Sequence, residues 1–204
     1  MKIAIVTDST SDLSHEEAES NSITVVPAIL VMNGTEYTDG EGMSRESFYN
    51  QLPGMSPPPT TASPSAGTFA QAYHRLFEQG VDHILSIHVA STLSSIVSSA
   101  RIAAQGVKKM VTVMDSGQLS MGLGFQAIAA AEAAVSGDIQ KVFEAISRVR
   151  IRSRVVAMID NLDQLRRSGR VSWVKSTLGA LLGIKLFLEV VDGKVMRLGE
   201  ARTR

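Results

Sequence analysis

The chain of 204 residues has no cysteine, which excludes a disulfide framework and any thiolate-held metal centre. Met1-Lys2 runs straight into a strand-like stretch, so no secretory leader is expected, and no run approaches the roughly 20 apolar residues of a membrane helix. A cytoplasmic protein without stable membrane insertion is the expectation. Aromatic residues are only 5% of the chain, and no dense basic stripe accompanies them, which argues against a nucleic-acid partner. The four histidines, His15, His74, His83 and His88, show no metal-ligand spacing, and no G-x-S-x-G elbow marks a serine hydrolase. Neither a metal nor a cofactor is expected.

What remains is the composition of a globular protein, 44% hydrophobic and 20% charged with zero net charge. The zero conceals an asymmetry. Residues 1–150 carry nine Lys/Arg against 15 Asp/Glu, and residues 151–204 carry 11 against five. The basic end either attracts an anionic partner or is simply counted apart from acidic neighbours.

Proline is also scarce, yet four of the six fall in Pro57-Pro-Pro-Thr-Thr-Ala-Ser-Pro-Ser65. Such a segment is held near polyproline or extended geometry, so it presents Thr60, Thr61, Ser63 and Ser65 with little entropy left to lose. It reads as a binding loop for a small anionic group.

Lys2–Thr7 reads as a strand, Asp8–Leu13 as a turn and Ser14–Asn21 as a helix. Ile23–Val31 and Thr35–Tyr37 read as a hairpin turned at Asn33-Gly34, and Ser44 caps a helix to about Leu52. After the proline segment come a helix from Ala66 to Glu78, a buried strand His83–Val89, and a helix to about Gln105. Lys109–Met114 is a further strand, followed by helices at Leu119–Val135 and Ile139–Arg150. Val155–Ile159 reads as a strand, Asp160–Arg167 and Ser172–Leu182 as helices, and Ile184–Val191 with Val195–Leu198 as a hairpin. Strand–helix alternation predicts an α/β fold, a parallel sheet flanked by helices over residues 1–155. Residues 156–204 break the rhythm and are expected to begin a second, smaller α+β domain.

Three polar turns, Asp8–Asp12, Ala90–Ser95 and Asp115–Gly117, each follow a predicted parallel strand. They should meet at the carboxyl edge of the sheet, where open α/β folds bind ligands. Hydroxyls and helix N-termini there suit a carboxylate or a phosphate; alternatively, each hydroxyl is only a helix cap. Gly122-Leu-Gly-Phe-Gln-Ala127 fits G-x-G-x-x-A but lies well past the strand end, so it does not mark a dinucleotide site. Asp8 and Asp12 are spaced wrongly for an aspartyl-nucleophile D-x-D and read better as caps of the first helix. Arg166-Arg167-Ser-Gly-Arg170 is either a small phosphate patch or a complement to a helix C-terminus. Leu178, Leu181, Leu182, Ile184, Leu186 and Leu188 form an apolar segment that lines an interdomain crevice or fills a second core.

Thr7-Asp-Ser-Thr-Ser-Asp-Leu13, Tyr37-Thr-Asp-Gly40, Thr61-x-x-Pro64-Ser65, Ser91-x-Leu-Ser94, Asp115-Ser116, Leu162-x-x-Leu165 with Ser168-Gly-Arg170, Leu182-x-Ile-Lys185 and Arg202-Thr203 occur in this order. In that order and at those intervals the chain resembles the DegV family of bacterial fatty-acid-binding proteins, the lipid-loading subunits of fatty acid kinase. The resemblance runs from residue 1 to the end and implies the fold named for that family (EDD). It also implies a carrier without activity of its own: a fatty acid in a tunnel, its carboxylate held by hydroxyls, presented to the kinase catalytic subunit for conversion to an acyl phosphate. By position, the resemblance assigns Thr61, Ser63, Ser94 and Ser95 to the carboxylate, with Arg170 nearby, and Arg202 to the kinase-facing surface. Ala62 stands where the family usually has serine, leaving Ser63 as a substitute whose side chain is expected to point differently. Leu93-Ser-Ser-Ile96 departs from Leu-Ser-Gly-Thr, and Leu186 follows Lys185 in place of a proline. Family members continue beyond Arg202-Thr203, so the second domain is expected to be truncated here.

Two readings of other classes stand beside this one. The first is a magnesium-dependent phosphohydrolase or kinase-like enzyme using Asp8, Asp12 and Asp115. The second is a regulatory module docking on an anionic partner through the basic C-terminal part.

Overall fold

The computed structural model describes residues 1–41, 43–159, 162–171 and 184–202. Its centre is a parallel sheet of four strands, β1 (Ile3–Asp8), β2 (Ile23–Val26), β6 (His83–His88) and β7 (Met110–Asp115), in the order β2-β1-β6-β7. The chain leaves β1 toward β2 on one side and later returns to place β6 on the other, so a topological switch point lies between β1 and β6. Every residue of β6 is buried, as a strand flanked on both edges and covered on both faces requires.

Helices flank the sheet. One stripe of α3 (Ala66–Glu78) buries Phe69, Tyr73 and Phe77 in the core, with Leu76 packed at its margin. Alongside α3 lies α4 (Ile96–Gln105), and α5 (Met121–Ala134) packs on β1 and on α6 (Ile139–Arg152). Short α1 (His15–Ser20) opens with a capping box, Ser14 and Glu17 satisfying each other's backbone N–H groups. The first-helix cap is therefore Ser14. Asp8 instead caps the 3-10 turn Ser9–Ser11, accepting from the Thr10 N–H at 3.1 Å, and Asp12 ends that turn in left-handed geometry.

The expected strand Ile23–Val31 is two strands. Pro27 offers no N–H to a ladder, and the Ala28 N–H donates to Ser9 Oγ at 2.9 Å, so the chain leaves the parallel sheet there. It enters a small antiparallel sheet, β3 (Ile29–Met32), β4 (Thr35–Thr38) and β5 (Thr60–Ala62), in the order β4-β3-β5. The β3–β4 turn is at Asn33-Gly34, both with positive φ, as a two-residue hairpin demands. The proline segment is thus more than a loop: Thr60, Thr61 and Ala62 pair with Val31, Leu30 and Ile29. Between β4 and β5 runs α2 (Arg45–Gln51), capped by Ser44.

After α6 come β8 (Val155–Ile159) and α7 (Leu162–Ser168). A hairpin of β9 (Ile184–Val191) and β10 (Lys194–Arg202) then completes an antiparallel sheet ordered β10-β9-β8. The expected hairpin is present, and it turns at Asp192-Gly193. Leu186, Leu188 and Val190 are buried from β9, so Leu186 and Leu188 belong to the core of this sheet. Leu178, Leu181, Leu182 and the expected Ser172–Leu182 helix lie outside the described residues. Gly122 and Gly124 are packing residues of α5. A Cβ on Gly124 would meet the Ser11 carbonyl oxygen at 2.7 Å, and one on Gly122 would meet a Val155 methyl at 2.5 Å.

A polar network crosses the core. Tyr73 Oη lies 2.8 Å from Ser86 Oγ, which lies 2.6 Å from His88 Nε2, and His88 Nδ1 lies 3.0 Å from Asp8 Oδ2. The Val89 N–H adds a bond to the same Asp8 oxygen at 3.1 Å. Burial alone pushes the Asp8 carboxyl up, but the hydrogen bond and charge of His88, with bonds from Thr10 and Val89, hold it below its ordinary value. Burial pushes the Tyr73 phenol up to about 12.

Two stability predictions follow from this packing. Gly124→Ala should cost about 1–3 kcal/mol, read as a lower urea midpoint; an unchanged midpoint would show that α5 can shift away from Ser11. Because the folded-state pKa of Asp8 is depressed, its contribution is present above the unfolded value of about 4 and disappears as pH falls through the lower folded value. Asp8→Asn should therefore cost about 3 kcal/mol at pH 7 and flatten the loss of stability below about pH 4. An acid limb as steep as that of the unaltered protein would contradict this assignment.

Candidate functional site

The carboxyl ends of the parallel strands do gather the three polar turns. Asp8 bonds the start of the turn after β6 through Val89. Asp115, at the end of β7, accepts from the Ser91 N–H at 3.1 Å and from the Ser91 hydroxyl, and the Gly117 N–H donates to its other oxygen at 2.8 Å. Burial raises the Asp115 carboxyl, but the Ser91 hydroxyl, the Gly117 and Ser91 N–H groups and the charge of Arg101 together hold it below the usual carboxylate range.

The Ser91–Ser95 turn is thereby fixed from several sides. The Thr92 hydroxyl donates to the Gly193 carbonyl, and the Gly193 N–H donates to the Gly117 carbonyl at 2.8 Å, so the β9–β10 turn braces the edge of the parallel sheet. Arg170 Nε donates to the Leu93 carbonyl at 2.9 Å, and another guanidinium nitrogen donates to the Ser168 carbonyl at 3.2 Å. Ser63, just beyond β5, shares a hydrogen bond with Ser95 at 2.7 Å and a longer one with Ser94 at 3.5 Å. This explains why Ser95, although it precedes α4, makes no capping bond to that helix: its hydroxyl is turned to Ser63.

Beside this turn opens a cavity of about 1020 Å³, at the upper end of the roughly 300–1,000 Å³ usual for small-molecule sites. Thr61, Ser63, Ser94, Ser95 and Arg170 all line it. Five side chains from three segments, the first and last more than 100 residues apart in sequence, thus come together. Thr61 reaches the wall from β5, where it pairs with Leu30, itself a lining residue. Arg202 ends β10 opposite Ile184, and its side chain lies outside the described residues.

Much of the wall is apolar, contributed by Leu30, Phe48, Val89, Leu93, Ile96 and Leu165. The sequence reading missed these residues and sought the greasy surface in the leucines after residue 177. Helix α2 carried the overlooked signal: Phe48 and Tyr49 are adjacent aromatics on a short helix that buries no residue in the core, and both line the cavity. Ser9 and Thr10, from the first of the three polar turns, line the same space, and so does Ser120, which the sequence reading had placed inside the helix from Leu119.

Among the described residues the arrangement offers hydrogen-bond donors but no activated nucleophile. Ser63, Ser94 and Ser95 face one another, whereas the His88 ring is occupied by Asp8 and Ser86 in the core. The aspartates of the metal-dependent reading are spoken for as well. Asp8 is fully buried on His88, Asp12 pairs with Arg45 at 3.6 Å, and Asp115 clamps Ser91. Among the described residues no three His, Cys, Asp or Glu side chains are grouped to hold a metal ion, and no helix is long and apolar enough to cross a membrane.

Comparison with known proteins agrees with this architecture. The sequence profile described as "Uncharacterised protein, DegV family" matches residues 2–204. A DegV domain-containing protein of Deinococcus radiodurans is 38% identical over 203 residues, which cover 99% of this chain and 72% of that protein. Among solved structures, a DegV family protein from Thermus thermophilus, described for its fatty acid binding, is 35% identical with a TM-score of 0.88. The match covers 100% of this chain and 72% of that one. A stearic acid-binding protein from Eubacterium ventriosum is 25% identical with a TM-score of 0.88, covering 99% and 71% of the two chains. With the profile spanning nearly every residue and the fold matching these relatives along almost the whole chain, the chain belongs to the DegV family.

Proposed function

We propose that this protein binds one long-chain fatty acid in the cavity and presents its carboxylate to a partner kinase, with no catalytic activity of its own. The observation that carries the reading is the convergence of Thr61, Ser63, Ser94 and Ser95, with Arg170 beside them, in the wall of a cavity that is otherwise largely apolar. The DegV relatives of known structure that bind fatty acid or stearic acid support the ligand class.

The chemistry of the lining suits an amphipathic acid. Hydroxyl donors to an ionised carboxylate form charge-assisted bonds, stronger than neutral ones, and they strengthen further where water is excluded. Each methylene buried along the apolar wall contributes about 0.8 kcal/mol. Head and tail thus draw on different residues. In this reading residues 1–155 and 156–204 are two domains that supply the two sides of the binding site, the second through Leu165, Arg170 and Val195. Arg170, which donates to the Leu93 carbonyl, acts chiefly by holding the Ser94 turn in place. In the partner kinase a carboxylate oxygen of the bound acid attacks the γ-phosphorus of ATP, ADP departs, and an acyl phosphate is left on the carrier. Arg202 faces that partner.

The double variant Thr61→Val, Ser94→Ala separates head from tail. With the cognate kinase it should lose acyl-phosphate formation by about tenfold or more, while the amount of lipid retained by the protein falls far less. Equal losses of both would contradict the roles given to the two hydroxyls.

A further inference from the structure

Five non-glycine residues among those described have positive φ: Asp12, Ser22, Asn33, Ser120 and Asp192. Asn33 and Asp192 precede glycine in hairpin turns, Ser22 closes the turn after α1, and Asp12, at φ 57° and ψ 16°, is an ordinary left-handed cap. Ser120 is different. Its φ of 53° and ψ of −149° lie near a region that only glycine occupies without strain.

The start of α5 does not explain a serine in that conformation. A serine before a helix usually accepts a hydrogen bond from the first turn, and Ser120 makes no such side-chain bond. Its N–H donates instead to the Thr10 carbonyl at 2.8 Å, and it lines the cavity beside Thr10 and Leu119. The loop that carries it abuts the hydroxyl turn: the Ala90 N–H donates to the Gln118 carbonyl at 2.9 Å, and the Ser94 N–H donates to the Ala90 carbonyl at 3.2 Å. A side chain held where glycine would be relaxed, unused as a cap and set in the cavity wall, has its hydroxyl available to a ligand there.

We propose that the Ser120 hydroxyl donates a hydrogen bond to the carboxylate of the bound acid, a contact beside Ser94; the proposal rests on the fatty-acid reading above. Ser120→Gly removes the hydroxyl together with the strain, whereas Ser120→Ala removes the hydroxyl and keeps the strain. Titrating the unaltered protein and both variants with stearate, and separately with its uncharged methyl ester, isolates the contact. Both variants should bind stearate about tenfold more weakly and the ester almost unchanged, while the glycine variant melts at a higher temperature than the unaltered protein. If the alanine variant does not fold, the glycine variant, freed of the strain, carries the test. Stearate affinity equal to that of the unaltered protein, or equal losses for stearate and ester, would overturn the proposal. An unaltered protein that binds neither ligand would overturn the fatty-acid reading itself, and this contact with it.

Discussion

The buried carboxylate of Asp8 is the contact on which the binding edge depends. It sits at the end of β1, beside the switch point, and binds the ring of His88 and the N–H of Val89 across the junction with β6. A buried charge left unpaired is costly, and one that is paired and hydrogen-bonded fixes its surroundings. The same carboxyl group turns the chain at Thr10, and Ser9 in that turn receives Ala28 as the chain crosses between sheets. One side chain therefore sets where β1 ends, where β6 ends and where the second sheet begins.

From that anchor the hydroxyl turn is assembled by parts distant in sequence. Asp115 holds Ser91, Gly193 holds Thr92, Arg170 holds Leu93, and Ser63 meets Ser94 and Ser95. Each of five successive residues thus has a partner from another segment, so the hydroxyls are positioned before any ligand arrives. Pre-positioning of this kind reduces the ordering cost of binding, and here it comes from ladder pairing of β5 as much as from its prolines. The β9–β10 turn contributes to the same end by capping the turns after β6 and β7. The parallel sheet and the last antiparallel sheet therefore support one site.

Much of this was legible in the sequence because it rests on local signals. Strand–helix alternation gave the parallel sheet, Asn33-Gly34 and Asp192-Gly193 gave the hairpin turns, and polar residues directly after three strands gave the carboxyl-edge cluster. The break at Pro27 was missed because the apolar run on either side of it looks like one strand; only the capture of Ala28 by Ser9, a contact across the fold, reveals two. The apolar wall was misplaced for a similar reason. A leucine-rich strand such as β9 looks the same whether it fills a core or lines a cavity, and Leu186 and Leu188 do the former. Leu30, Phe48 and Leu165 reach the cavity from three elements whose approach no local pattern encodes. Ser120 is conspicuous only through its backbone angles.

The central claim, that the cavity is an acyl-binding site, is tested most directly by equilibrating the purified protein with stearate, removing free lipid, and extracting the protein with organic solvent for mass spectrometry. The account predicts close to one fatty acid per chain, either stearate or an acid carried through from the cell. A washed protein whose extract contains no fatty acid would contradict it.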